Sequence, residues 1–241
     1  MTAFDYWKDL SYLKNGSAVQ REVHALLEDL KLMATLADWD PVLAGTVPLG
    51  LQVQGSDLDI LCEVHDIGTF RGAVERCYGG TADYRCSSRE VNGKPRVVAR
   101  FTAGKWPVEI FGQPVPVSRQ NGYIHMVVEA RILDILGEGF RERVRLLKAD
   151  GIKTEPAFAQ LLALEGDPYE ALLQLERLDE PALDALCRKS WSKRQCIEMK
   201  TEMKIHDNDD KSVGGDGIRG NDDPQGGARG CSGPGRADGA A

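Results

Sequence analysis

Leu43-Ala44-Gly45-Thr46-Val47-Pro48-Leu49-Gly50-Leu51-Gln52-Val53-Gln54-Gly55-Ser56-Asp57-Leu58-Asp59-Ile60 is the stretch on which the reading of this chain turns. Val42 to Ala44 is a short apolar run closed by Gly45-Thr46, and Asp57 to Val64 is a second run, so both read as strands. Side chains at i and i+2 of a strand leave from the same face. Asp57 and Asp59 therefore present two carboxylates side by side while Leu58 and Ile60 turn to the core. Mg²⁺ (or Mn²⁺) is commonly held by one or two carboxylates together with substrate phosphates, so the pair is half of a cation site that a nucleoside triphosphate would complete. Gly45 lets backbone N–H groups approach a phosphate closely, Thr46 adds a hydroxyl, and Ser56 beside the acids is a further candidate contact. The two-residue spacing alone also reads as an ordinary solvated strand face.

A third acid strengthens the cation reading. In Lys105-Trp106-Pro107-Val108-Glu109-Ile110-Phe111, Glu109 lies between two apolar residues, on the polar face of another strand. Asp57, Asp59 and Glu109 together supply the carboxylates that a two-metal site for in-line attack at a phosphoryl group requires. The expectation is that all three converge on one accessible cleft.

Outward from this segment the pattern alternates between the two periodicities. Ser17 can cap a helix in which Val19, Val23, Leu26, Leu27, Leu30, Met33 and Leu36 recur at three- and four-residue spacing. Ile67 to Cys77 reads as a helix. Tyr84 to Val91 and Arg96 to Phe101 flank Asn92-Gly93, a strong signal for a tight hairpin. From about Gln120 the spacing is helical again, with Thr154 before Glu155-Pro156 and Asp167 before Pro168 as helix caps. The expected fold class is α/β (α+β): a mixed β-sheet flanked by helices, with a C-terminal helical extension.

The chain has 241 residues, 42% of them hydrophobic and 28% charged, which is the composition of a globular protein with one substantial core. A formal charge of −7 provides no global attraction to phosphate backbones or anionic lipid, so no bulk nucleic acid and no membrane is expected as partner. No run of about 18 apolar residues and no N-terminal targeting pattern occurs, and a cytoplasmic location is expected. The six cysteines form no C-x-x-C pair, and Cys62 and Cys77 read as small buried hydrophobes.

Composition shifts near residue 190, and Gly214 to Ala241 is mostly Gly, Asp, Arg, Pro and Ser. The expected division is a domain over 1–187 and a disordered, low-complexity tail over 188–241. The tail has the look of a shifted reading frame in a GC-rich gene; its acids nearly cancel its bases, which argues against RNA binding.

Other polar residues have weaker signals. His125 and Glu129 stand four apart on one helix and read as a structural pair. Lys153 precedes a helix start, where backbone N–H groups favour anions, and is a candidate phosphate contact as well as an ordinary solvated lysine. Gln113 and Asn121 are candidates to read a base or acceptor, although nothing in their spacing shows it. Trp39 and Trp106 read as core or rim aromatics.

Gly45-Thr46, ten intervening residues, Asp57-Leu58-Asp59-Ile60 and a later strand with Glu109 resemble the signature of the nucleotidyltransferase-like superfamily. More narrowly, Leu43 through Asp59, Val108 to Gln113, Asn121 to Arg131 and Lys153 through Tyr169 resemble the bacterial family called domain of unknown function 4269, over roughly residues 10–177. The resemblance implies a nucleotidyltransferase-like mixed sheet flanked by helices, catalytic and metal-holding roles for Asp57, Asp59 and Glu109, and phosphate contacts at Gly45 and Thr46. It further implies metal-dependent nucleotidyl transfer from a nucleoside triphosphate to an unidentified hydroxyl acceptor, a small molecule or a protein. The chain departs from the superfamily at Thr46, where Ser or Gly is usual, and at Glu109, where Asp is commoner. Val47-Pro48-Leu49-Gly50 also leaves little room for the basic helix that often follows. These departures keep a second reading open, a non-catalytic nucleotide- or partner-binding protein such as a toxin–antitoxin component, and a hydrolase using the same acids is a third.

Overall fold

The computed structural model describes residues 3–212. The chain divides into two compact units at 198/199, and residues 199–212 of the second are described as the end of a helix. The fold of the first unit is α+β, built on a five-stranded mixed sheet.

Alternation is what builds that sheet. β1 (Val42–Ala44) pairs antiparallel with β2 (Leu58–Glu63), and β2 pairs parallel with β5 (Trp106–Gln113). β3 (Ala82–Val91) and β4 (Lys94–Ala103) complete the order β1-β2-β5-β4-β3. Asn92 and Gly93, with φ of 53° and 72°, form the two-residue turn between β3 and β4, the left-handed geometry that matches the twist of paired strands. On β2, Leu58, Ile60 and Cys62 are fully buried on one face. That face packs against α3 (Ala18–Asp29), the short α4 (Leu32–Thr35) and α5 (Ile67–Tyr78), through Val23, Leu27, Leu32, Phe70 and Val74. The other face receives α6 (Asn121–Ala149), α7 (Thr154–Leu162) and α8 (Pro168–Leu175), with Leu61, Met126, Phe140 and Phe158 in a second core. Two short N-terminal helices, α1 (Ala3–Lys8) and α2 (Ser11–Lys14), and the long α9 (Glu180–Ser212) complete the described chain.

Local physics decides where the expected elements end. Ser17 caps α3 with a reciprocal box to Gln20, but the helix expected to reach Leu36 breaks at Lys31, whose φ of 49° is left-handed, and restarts as α4. α6 changes direction at Gly137 (φ 72°, ψ −163°). Asp167 caps α8 as expected, accepting from the N–H groups of Tyr169 and Glu170 at 3.0 Å with Pro168 next. Thr154 is instead the first residue of α7, and its hydroxyl is taken by Lys148 Nζ at 2.8 Å rather than by a backbone N–H. Cys62 is buried, whereas Cys77 is exposed on α5, contrary to its reading as a buried hydrophobe. Trp106 and Trp39 do pack in the first core, Trp39 edge-on to Phe70 at 5.2 Å.

The boundary expected at 187/188 falls inside α9. Between Ala182 and Ser212 there is neither Gly nor Pro, and Lys, Glu, Arg and Met sustain a helix there. Positions 213–241, the Gly-rich remainder of the expected tail, lie outside the described residues. Trp191 lies edge-on to Phe140 with ring centroids 5.1 Å apart, against the second core. Shortening the chain to Lys189 removes that contact and is expected to cost about 1–2 kcal/mol, several degrees in thermal midpoint, and Trp191→Ala in the full chain should reproduce it. Differential scanning calorimetry reads both; an unchanged midpoint contradicts the packing. Among the described residues no helix is long and apolar enough to cross a membrane.

Candidate functional site

A cleft of about 570 Å³ lies between the second sheet face and helices α6 and α7, and the sequence-predicted acid and phosphate-contact residues all line it: Gly45, Thr46, Ser56, Asp57, Asp59, Glu109 and Lys153, whereas Gln113 and Asn121 line a second cavity. Strand register places the acids. Asp59 pairs with Ala44 on β1 and with Glu109 on β5, so its carboxylate and that of Glu109 leave the same face of adjacent strands. Asp57 precedes β2 and is exposed, while Asp59 is half-buried.

Gly45 allows the approach. Its φ is +77°, and a Cβ built there would sit 2.5 Å from Asp59 Oδ2. A side chain at position 45 would therefore displace the carboxylate as well as strain the backbone. The loop that follows is pinned from two sides: Gln20 Nε2 donates to the carbonyls of Val47 (3.0 Å) and Pro48 (3.2 Å), and Arg145 Nε to that of Gly50 (2.9 Å). Arg141 donates to the Leu49 carbonyl. Ser56 closes the next turn, its hydroxyl accepting from Val53 N–H at 2.9 Å, so its first duty is to the loop.

Electrostatics single out Asp59. Burial, reinforced by the charges of Asp57, Glu109 and Glu155 and relieved by Lys148, pushes its carboxyl up to about 7. Among the described residues neither the Asp57 nor the Asp59 carboxylate makes a hydrogen bond or ion pair. A carboxylate pair with mutual repulsion and no cationic partner in contact fits a divalent cation. Glu109 is different: Arg100, opposite it on β4, donates from Nε at 2.6 Å and from Nη2 at 2.5 Å. Among the described residues no group of three or more His, Cys, Asp or Glu is gathered closely enough to hold a metal ion. The chain's own geometry thus offers a two-acid site, with the third acid beside it on an arginine.

The helical wall contributes residues that motif reading missed. Lys148 on α6 donates to Thr154; burial lowers its pKa and the charges of Glu129, Glu155, Asp57 and Asp59 pull it back up. Glu129, 4% exposed, is raised well above the usual carboxylate range by burial and by Glu155, and its Oε1 has no hydrogen-bond partner. The expected His125–Glu129 pair is not what forms. His125 Nε2 donates to the Tyr169 carbonyl at 3.0 Å, and Nδ1 faces Glu155 Oε1 at 3.5 Å across the α6–α7 seam. Lys153 is exposed at the N-terminal end of α7, on the cleft's rim. Because burial raises Glu129 well above the usual carboxylate range and so disfavours its charged form, Glu129→Gln, which keeps the shape without a charge, is expected to be at least as stable as the unaltered protein at pH 8. Urea unfolding at that pH tests it, and a loss of about 2 kcal/mol or more would show an ionised, paired Glu129.

The family described as Domain of unknown function (DUF4269) matches residues 25–175. No curated protein matches the chain. Among solved structures, a Cid1 poly(U) polymerase bound to MgATP is similar over 71% of this chain and 55% of its own, at 14% identity and a TM-score of 0.43. A cytoplasmic RNA terminal U-transferase is similar over 64% and 46%, at 15% identity and a TM-score of 0.41. The polymerase core of TRAMP, an RNA surveillance complex, is similar over 78% and 63%, at 14% identity and a TM-score of 0.39. The chain spans less than two thirds of each of these structures.

Proposed function

The chain belongs to the family described as Domain of unknown function (DUF4269), which brings no reaction with it, and on the cleft's own chemistry we propose that the protein transfers a nucleotidyl group from a nucleoside triphosphate to a hydroxyl acceptor. The observation that supports this is the Asp57–Asp59 pair: both line one cleft, Asp59 lies against Gly45, neither has a cationic contact among the described residues, and the Asp57 charge helps to raise Asp59. Asp57 and Asp59 would hold Mg²⁺ or Mn²⁺; when bound, the cation supplies charge neutralisation at the phosphoryl centre. Gly45 and Thr46 line the cleft where phosphates would lie, as do Lys153 and Thr154 at the N-terminus of α7. The acceptor oxygen bonds to the α-phosphorus as the bond to pyrophosphate breaks, and Glu109 is the base positioned to accept the hydroxyl proton or, released from Arg100, the third acid. Nucleoside triphosphates and Mg²⁺ are abundant in cytoplasm, where we place the reaction.

One observation favours a second reading. Arg100 occupies the Glu109 carboxylate, as expected of a binding protein that has lost its chemistry or of a partner-binding face. Incubating the protein with labelled triphosphates, Mg²⁺ and cell extract separates the two. A labelled acceptor, lost in Asp57→Asn, supports transfer; metal-dependent binding without label supports the binding protein; and release of phosphate or nucleoside monophosphate without label marks a hydrolase. Purified RNA belongs among the acceptors, since the polymerases and terminal transferase compared above are named for it, although a charge of −7 disfavours nucleic acid here.

A further inference from the structure

A second, smaller cavity of about 210 Å³ opens where the first one ends, and Leu61, Phe111 and Gly122 line both. Along β5 the side chains of Glu109, Phe111 and Gln113 leave the same face. The cavity thus begins one pleat, about 6.6 Å, beyond Glu109. Its charge is unlike that of the catalytic cleft. Lys94, Arg96 and Arg119 border it, and no acid does. Among the described residues none of these three side chains makes a hydrogen bond or ion pair; Arg96 lies over the Phe111 ring at 5.9 Å, and its Nε is buried without a partner. The acid next in register, Glu63 opposite Gln113, is engaged by His65 at 2.8 Å. Three uncompensated cations around one small cavity stand out in a chain of charge −7.

Two further features turn this concavity into a site. The first segment of α6, which runs from Asn121 to the break at Gly137, begins at the cavity wall, and its N-cap Gln120 supplies no side-chain cap, so the first N–H groups of the helix are left for an anion. Gln120 itself is 2% exposed; its Nε2 is committed to the carbonyls of Cys62 and Val115, both at 2.9 Å, which fixes the amide and leaves Oε1 buried with no donor. An acceptor oxygen held in place beside basic side chains calls for an anionic ligand that also carries a hydrogen-bond donor.

We infer that this cavity binds a phosphate group of the acceptor, which makes the acceptor a small phosphorylated hydroxyl compound whose free hydroxyl reaches the Glu109 end of the cleft. The inference rests on the transfer reading for the word acceptor, but the phosphate site can be measured without it. Inorganic phosphate is titrated into the full-length protein by calorimetry in the presence of EDTA. Arg96→Gln/Arg119→Gln is expected to weaken phosphate at least about tenfold, and Lys94→Gln/Arg119→Gln, at two exposed positions, serves if Arg96→Gln perturbs folding. Asp59→Asn should leave phosphate binding within about twofold, and in a separate titration with Mg²⁺ and no EDTA saturating MgATP should not displace it. Phosphate affinity unchanged in both double variants, or competition by MgATP, overturns the inference. So does binding only of oligoribonucleotides in proportion to length, which would assign the basic cavity to a nucleic-acid strand. If MgATP fails to bind while phosphate behaves as stated, the transfer reading falls and the phosphate site stands.

Discussion

Asp59→Asn is expected to raise the stability of the metal-free protein while abolishing metal-dependent nucleotide binding. The folded-state pKa of about 7 lies above the ordinary 3.8, so the folded protein binds the proton more tightly than the unfolded chain does. Stability contributed by the protonated form is complete below pH 4 and is lost as pH rises through 7. Asparagine has no proton to lose. A carboxyl raised from 3.8 to about 7 sets a ceiling of about 4 kcal/mol, and solvent screening of a partly exposed carboxyl reduces the expected gain to about 1–2 kcal/mol at pH 8, vanishing toward pH 4. Removing one of two carboxylates from the cation should lower metal-dependent binding and any transfer at least about 100-fold. Urea unfolding at pH 4 and 8 in EDTA, alongside nucleotide titration, reads both. If the variant is instead destabilised by about 2 kcal/mol or more at pH 8, Asp59 is a hydrogen-bonded structural acid and the cation assignment fails.

Gly45→Ala should be nearly as damaging from the other direction. The φ of +77° costs an L-residue about 1–2 kcal/mol, and the new Cβ meets Asp59 Oδ2 at 2.5 Å, so the carboxylate must turn away. Nucleotide binding in the presence of Mg²⁺ is expected to fall at least about tenfold. Gly50→Ala is the matched control: its φ of +66° brings similar strain, but its Cβ would meet nothing closer than Arg145 Nη2 at 3.7 Å. Equal binding losses in the two variants would mean that backbone strain, not the Asp59 contact, explains the effect.

The parts of the site legible in the sequence are those set by local periodicity. Asp57 and Asp59 alternate with Leu58 and Ile60, and burial on β2 follows that alternation from Leu58 to Ile60, after which Leu61, on the face of Asp59, is buried too. Asn92-Gly93 determined the β3–β4 hairpin because few other dipeptides take two left-handed residues cheaply. What was missed depends on packing between distant segments. Lys148 and Glu155 reach the cleft only because α6 and α7 cross the sheet face, and no spacing encodes that crossing. Glu129 did leave a trace: it sits between Met126 and Leu133 in the buried stripe of α6, where an acid needs an explanation. Arg100 was also recoverable. Reading Gly104-Lys105 as a two-residue turn between Ala103 and Trp106 sets the register that places Arg100 opposite Glu109. The His125 pairing failed because i, i+4 spacing proposes Glu129 while burial and α7 deliver Glu155.

Titration of each common nucleoside triphosphate into the full-length protein by calorimetry, with Mg²⁺ and again with EDTA, addresses the central claim most directly. Saturable binding of at least one triphosphate with Mg²⁺, weakened at least about tenfold by EDTA or by Asp57→Asn, is the predicted result. No binding of any triphosphate with Mg²⁺ or Mn²⁺, or binding equally tight without metal, would contradict it.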